Sequence, residues 1–187
     1  MKRALVFALL LAACQEEAQD ISPVALTESA VGHYCQMDIL EHPGPKAQVH
    51  LDGQPGMPLF FSQVRDAVAY ARLPEQDGVI LAIYVNDMGA PGATWQDPGR
   101  VNWIDAATAH YVVGSSVEGG MGAPELVPFA DPDKAAAFAA ESGGTVLLLS
   151  EVPDSAVIAP ADLVGESDDD DADFNARLKA LSERIEG

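Results

Sequence analysis

The chain has 187 residues, with 10 basic against 29 acidic side chains for a formal charge of −19, and 48% of its residues are hydrophobic. Such an acidic surface excludes binding to nucleic acid or anionic lipid through the protein's own charge. Length and apolar content suffice for a real core, in one body or in two small lobes.

Lys2 and Arg3 precede the apolar stretch Ala4–Ala13, which is about ten residues long where a spanning helix needs about 20. Leu11-Ala12-Ala13-Cys14 is similar to the bacterial lipobox, in which the cysteine becomes the new N-terminus and carries the acyl chains. An ordinary secretory signal with an incidental cysteine is the alternative. Charge, apolar length, small residues and cysteine fall in the order that favours lipidation at Cys14, a periplasm-facing anchor in the lipid bilayer. Gln15, rather than Asp, leans towards the outer membrane. Loss of residues 1–13 leaves 8 basic against 29 acidic residues, a formal −21. With Cys14 acylated, Cys35 has no intramolecular disulfide partner. An odd thiol in an oxidising compartment is a reactive group, an intermolecular bridge or a metal ligand.

Residues 14–31 are polar and acidic and read as a flexible tether. Ala47–Leu51 reads as a strand, Asp52–Pro58 as a turn-rich loop, Phe61–Arg72 as a helix with Phe61, Val64, Val68 and Ala71 on one face, and Val79–Val85 as a buried strand. The second half repeats this order. Phe61 and Tyr70 match Phe129 and Phe138 at the same spacing, and Ala67, Ala69 and Ala71 fall on Ala135, Ala137 and Ala139. A glycine- and proline-rich loop holding Gly56-Met57 or Gly120-Met121 precedes each helix, and a strand follows it, Thr145–Leu149 in the second half. The expected fold is α+β: two similar ββαβ units packed together, preceded by a lipoprotein signal and tether and followed by an acidic tail. The units span 32–90 and 108–164, joined by a connector at 91–107 whose Trp95 and Trp103 are expected to close the core between them. The tail, 165–187, carries the run Asp168–Asp171 and an amphipathic stripe of Phe174, Leu178, Leu181 and Ile185 that folds back on the body or docks a partner.

Chemistry concentrates around Cys35. On extended backbone, Cys35 and Met37 would share one face, and thiolate and thioether sulfur select Cu(I) over harder metals. Cys and Met are also ordinary core fillers. Met121 sits in Gly119-Gly120-Met121-Gly122, too glycine-rich for a packed helix face and so expected on a loop. His33 would share the face of Cys35 on a strand, and His42 lies in a turn able to swing in. His50 and His110 fall on strands and read as core or surface histidines. A nucleophilic Cys35 aided by His33 lacks a third orienting group, so no enzyme is expected.

In order along the chain, the lipobox at Cys14, His33-Tyr34-Cys35-Gln36-Met37, His42-Pro43-Gly44-Pro45-Lys46-Ala47-Gln48, the Phe61 segment, Trp103-Ile104-Asp105-Ala106 and Tyr111–Ser115 leading into Gly119-Gly120-Met121-Gly122 resemble the NosL family of copper-binding lipoproteins. The resemblance runs from about Cys14 to Glu151 and leaves the acidic tail uncovered. It implies Cu(I) binding in the periplasm and delivery of copper to nitrous oxide reductase, with contact to an ABC-type membrane complex. It implies Cys35, Met37 and Met121 as ligands and two related ββαβ units similar to the organomercurial lyase fold; His33 and His42 remain lesser candidates from their positions alone. With one thiol left in the mature chain, carbon–mercury cleavage is not supported. A non-metal structural or docking lipoprotein is the competing expectation.

Overall fold

The computed structural model describes residues 18–158. The signal segment, Cys14 and the tail with its acidic run and amphipathic stripe lie outside the described residues. Seven strands and two helices alternate as β1 (Ala47–Leu51), β2 (Leu59–Phe61), α1 (Val64–Arg72), β3 (Ile80–Asn86), β4 (Trp103–Asp105), β5 (His110–Val113), β6 (Val127–Phe129), α2 (Pro132–Ser142) and β7 (Thr145–Leu148). They form two antiparallel sheets, one ordered β2-β1-β3-β4 and the other β6-β5-β7. Within each half the first strand lies centrally, flanked by the second and by the strand after the helix. The fold is therefore mixed α and β, with the same ββαβ winding used twice, as the repeated sequence order predicts.

Local chemistry accounts for the elements. Asp131 caps α2, its carboxylate accepting from the Asp133 N–H at 2.9 Å, and Pro132 opens the first turn where its missing N–H is harmless. Gly143, at φ 75°, ends it in a conformation only glycine adopts freely. Helix α1 stops at Leu73, which precedes Pro74 and is forced into extended backbone. It begins at Val64 rather than Phe61. Phe61 ends β2 and pairs with Ala47, and a three-residue strand leaves no alternation long enough to override the helical spacing of Phe61 and Val64.

Strand β1 is buried along its whole length. Ala47, Val49 and Leu51 enter the main core, where Phe61, Val64, Val68, Tyr70 and Val85 of the first half meet Tyr111 and Leu126 of the second. The two halves thus share one hydrophobic core. Gln48 and His50 point to the other face, covered by the segment at 18–31. That segment is not a free tether as expected from its polarity. Gln48 exchanges side-chain hydrogen bonds with the backbone of Val24 at 2.8 and 3.0 Å, Gln19 donates to the Leu51 carbonyl at 2.8 Å, and Leu26 and Ala30 are buried beside Ile39. Its few apolar residues dock on a sheet whose outer face needs cover, which composition alone cannot reveal. The connector also differs: β4 extends the first sheet, Trp103 packs on the Leu26 cluster, and Trp95 packs with the second half while its ring lies against Gly44 of the first. Only Trp95 spans the halves.

Candidate metal centre

Cys35 sits in a turn, not on a strand. The turn closes where the Gly32 N–H donates to the Met37 carbonyl at 3.0 Å, and Gln36 takes φ 55°, held by its N–H to the Gly32 carbonyl at 2.9 Å and its side chain to the His33 carbonyl at 2.6 Å. A left-handed residue between Cys35 and Met37 abolishes the alternation that would put both on one strand face. The turn hangs on the outer edge of β2, where the His33 N–H donates to the Phe60 carbonyl at 2.6 Å. It also covers an edge strand. The thiol is half-buried and accepts from the Ser62 hydroxyl at 3.8 Å. Gly32 lies so close that a Cβ there would collide with Sγ.

The other candidates divide. Met37 is 42% exposed and Met121 46% exposed, two thioethers at the surface where packing does not account for them. His33 faces the Asp77 carboxylate at 3.7 Å and stacks on Tyr34, Phe61 and Tyr70, with ring centroids 5.3–5.5 Å apart. His42 Nδ1 lies 3.2 Å from the Gly120 carbonyl, which brings the histidine to the Met121 loop, while its Nε2 is buried without a hydrogen-bond partner. His50 is a core histidine: Nε2 meets Gln48 at 2.9 Å and burial lowers its pKa. Among the described residues no three His, Cys, Asp or Glu side chains gather as a metal cluster.

Two residues that motif reasoning passed over lie beneath the site. Lys46 is 1% exposed, and its ammonium donates to the carbonyls of His42, Pro43 and Gly44 at 2.7, 3.1 and 2.6 Å, with Ser62 at 3.4 Å. Burial pulls its pKa down to about 8, against the opposing pull of Glu125 and Cys35. Glu125 is fully buried, which pushes its carboxyl up to about 8 although Oε1 accepts from the Arg65 and Leu126 N–H groups at 3.0 and 2.8 Å. Among the described residues its Oε2 has no hydrogen-bond partner, and it borders Gly119. The sequence does carry a signal: Lys46 is the only basic residue between Ala4 and Val64, and it enters a strand. Solitary charges at strand entries are worth suspecting as structural anchors.

The structure gives a half-buried thiol, two exposed thioethers and a histidine held against the methionine loop, donor types that suit a soft cation. The sequence profile of the NosL family matches residues 23–157. A copper-binding lipoprotein NosL of Achromobacter cycloclastes is 59% identical over 173 residues, covering 92% of this chain and 89% of the relative. Another, of Stutzerimonas stutzeri, is 36% identical over 161 residues, covering 84% and 81%. The crystal structure of the copper chaperone NosL from Shewanella denitrificans superposes with a TM-score of 0.65 at 29% identity, covering 71% of this chain and 96% of that one.

Proposed function

The chain belongs to the NosL family, and from that premise we propose that it is a lipid-anchored, periplasm-facing copper-binding metallochaperone, not an enzyme, that carries Cu(I) to the assembly of nitrous oxide reductase with an ABC-type membrane complex as partner. What supports this reading is a half-buried Cys35 thiol in a chain that also exposes the thioethers of Met37 and Met121. Cys35 supplies the thiolate and the methionines supply soft neutral donors, a combination that holds Cu(I) without offering the geometry Cu(II) or Zn(II) prefers. Of the two histidine candidates, His42 is the one whose ring touches the Met121 loop. His33 is committed to Asp77. Cys14 carries the lipid, outer membrane before inner, and the units 32–90 and 108–164 with their connector each contribute one side of the site.

Cargo release follows from exposure. An acceptor can displace one thioether at a time while the thiolate still holds the ion, so transfer passes through shared ligands rather than free copper. The glycines flanking Met121, Gly122 at φ 74° among them, leave its exposed side chain room to swing while the loop backbone stays seated. Met121→Ala is expected to weaken Cu(I) and alter its transfer; a variant matching the parent in both removes the swinging arm.

The test is an anaerobic Cu(I) titration of the form beginning after Cys14, in competition with a chromophoric chelator, beside Cys35→Ser. One tight equivalent per chain or per dimer, lost in Cys35→Ser, is the expected result. No competition, or binding indifferent to Cys35, overturns it in favour of a docking lipoprotein that presents Val31, Tyr34 and Met37, all exposed on this turn.

A further inference from the structure

We propose that Lys46 is a positioning residue that locks the Met121 loop of the second half onto the Cys35 side of the first, an inference that rests on reading Cys35 and Met121 as copper ligands. An ammonium has three protons, and four carbonyls share them, those of His42, Pro43 and Gly44 within 3.1 Å of Nζ and that of Ser62 farther out at 3.4 Å. The turn 42–44 is thereby folded around one charge. On that turn His42 meets the Gly120 carbonyl at 3.2 Å. The loop lies flush against it: a Cβ on Gly120 would come within 2.7 Å of the His42 Cβ and 2.9 Å of the Pro43 carbonyl oxygen. The loop is itself closed, Gly119 N–H to Ala123 at 2.8 Å and Gly122 N–H to Gly119 at 2.9 Å, so it shifts as a unit. On the other side the Ser62 carbonyl reaches the same ammonium at 3.4 Å, and the Ser62 hydroxyl donates to Cys35. One cation therefore braces the support of both sulfur arms.

Stability does not explain this lysine. Burying an ammonium whose hydrogen bonds all go to carbonyls costs desolvation that an apolar side chain of the same length avoids. What the charge supplies is direction: several carbonyls pointed at one centre, which no apolar group can enforce.

The experiment uses the full chain, solubilised in detergent, as Lys46→Met and separately Gly120→Ala. The second variant pushes the loop off the turn without touching Lys46, and it decides the matter alone if Lys46→Met does not fold. Without copper, amide hydrogen exchange at 119–123 is expected to accelerate about tenfold or more while the β1 and β5 amides keep the parent's rates. In chelator competition each variant is expected to lose about tenfold in Cu(I) affinity, and the loss disappears when Met121 is already Leu. Loop exchange that stays at the parent's rate, or rises only in step with β1, overturns the inference about Lys46 whatever the copper data show. A copper loss that persists in Met121→Leu also overturns it, as a general support of the fold would do that. A parent that binds no Cu(I) at all condemns instead the copper reading on which the inference stands.

Discussion

The two ββαβ halves carry the same aromatic joint, and what covers it sets them apart. Phe61 at the end of β2 meets Tyr70 of α1 at 5.5 Å and 47°, and Phe129 at the end of β6 meets Phe138 of α2 at 5.4 Å and 48°. In the first half the joint is overlaid by the cysteine turn, His33 and Tyr34 lying 5.4 and 5.2 Å from Phe61. In the second, Met88 from the end of the first unit and Trp95 of the connector pack nearby. Burial follows: six of nine residues of α1 are buried, against Ala135 alone in α2. The duplicated frame is common property. The first half uses it to seat a thiol, and the second, left lighter, contributes a glycine-rich arm.

The largest test of that contrast is thermodynamic. Tyr70 is 2% exposed and its hydroxyl accepts from the Asp77 N–H at 2.8 Å, so Tyr70→Ala is expected to cost about 3–5 kcal/mol by denaturant unfolding. Phe138 is only partly buried, and Phe138→Ala is expected to cost about 1–2 kcal/mol. Equal losses would break the asymmetry. Next comes pH. Burial raises the Glu125 carboxyl from 4.5 to about 8, so between those values the native state binds the proton that the unfolded chain has released. Its contribution is present below about 4.5 and is lost as pH rises through about 8. Glu125→Gln should flatten that part of a stability-versus-pH profile; an unchanged slope places the titration elsewhere.

Smaller effects sharpen the comparison at the sulfurs. Gly32→Ala would drive a methyl group into Cys35 Sγ, and about a tenfold loss of Cu(I) affinity is expected in chelator competition, roughly 1.4 kcal/mol. Smallest of all, Met57 sits in the loop of the first half that corresponds to Met121 and is 64% exposed. Met57→Gln should leave Cu(I) affinity within about twofold of the parent, since truncating a free surface residue changes little. A larger change would make both methionine loops ligands and erase the difference between the halves.

Strand β1 is readable from residues to its exact ends, and so is the repeated order of the two halves, because apolar spacing and turn residues are local signals; β4, inside the expected connector, is not. The candidate ligands were legible too, since a lone thiol and a methionine among glycines are conspicuous in composition. Backbone at the site was not. Nothing in Cys35-Gln36-Met37 announces that Gln36 turns left-handed; hydrogen bonds to Gly32 and His33, together with the docking of the turn on β2, impose it. The start of α1 was misjudged because Phe61 fits a helical face as well as it fits the end of a short strand. Lys46 and Glu125 could not be recognised as buried, since a charge looks solvated in sequence until distant segments close over it. Local residue patterns suffice for the repeated winding of the two halves and single out the sulfur atoms proposed as soft-metal donors. Tertiary structure decided how those atoms are aimed, because that depends on carbonyls and rings brought from both halves of the chain.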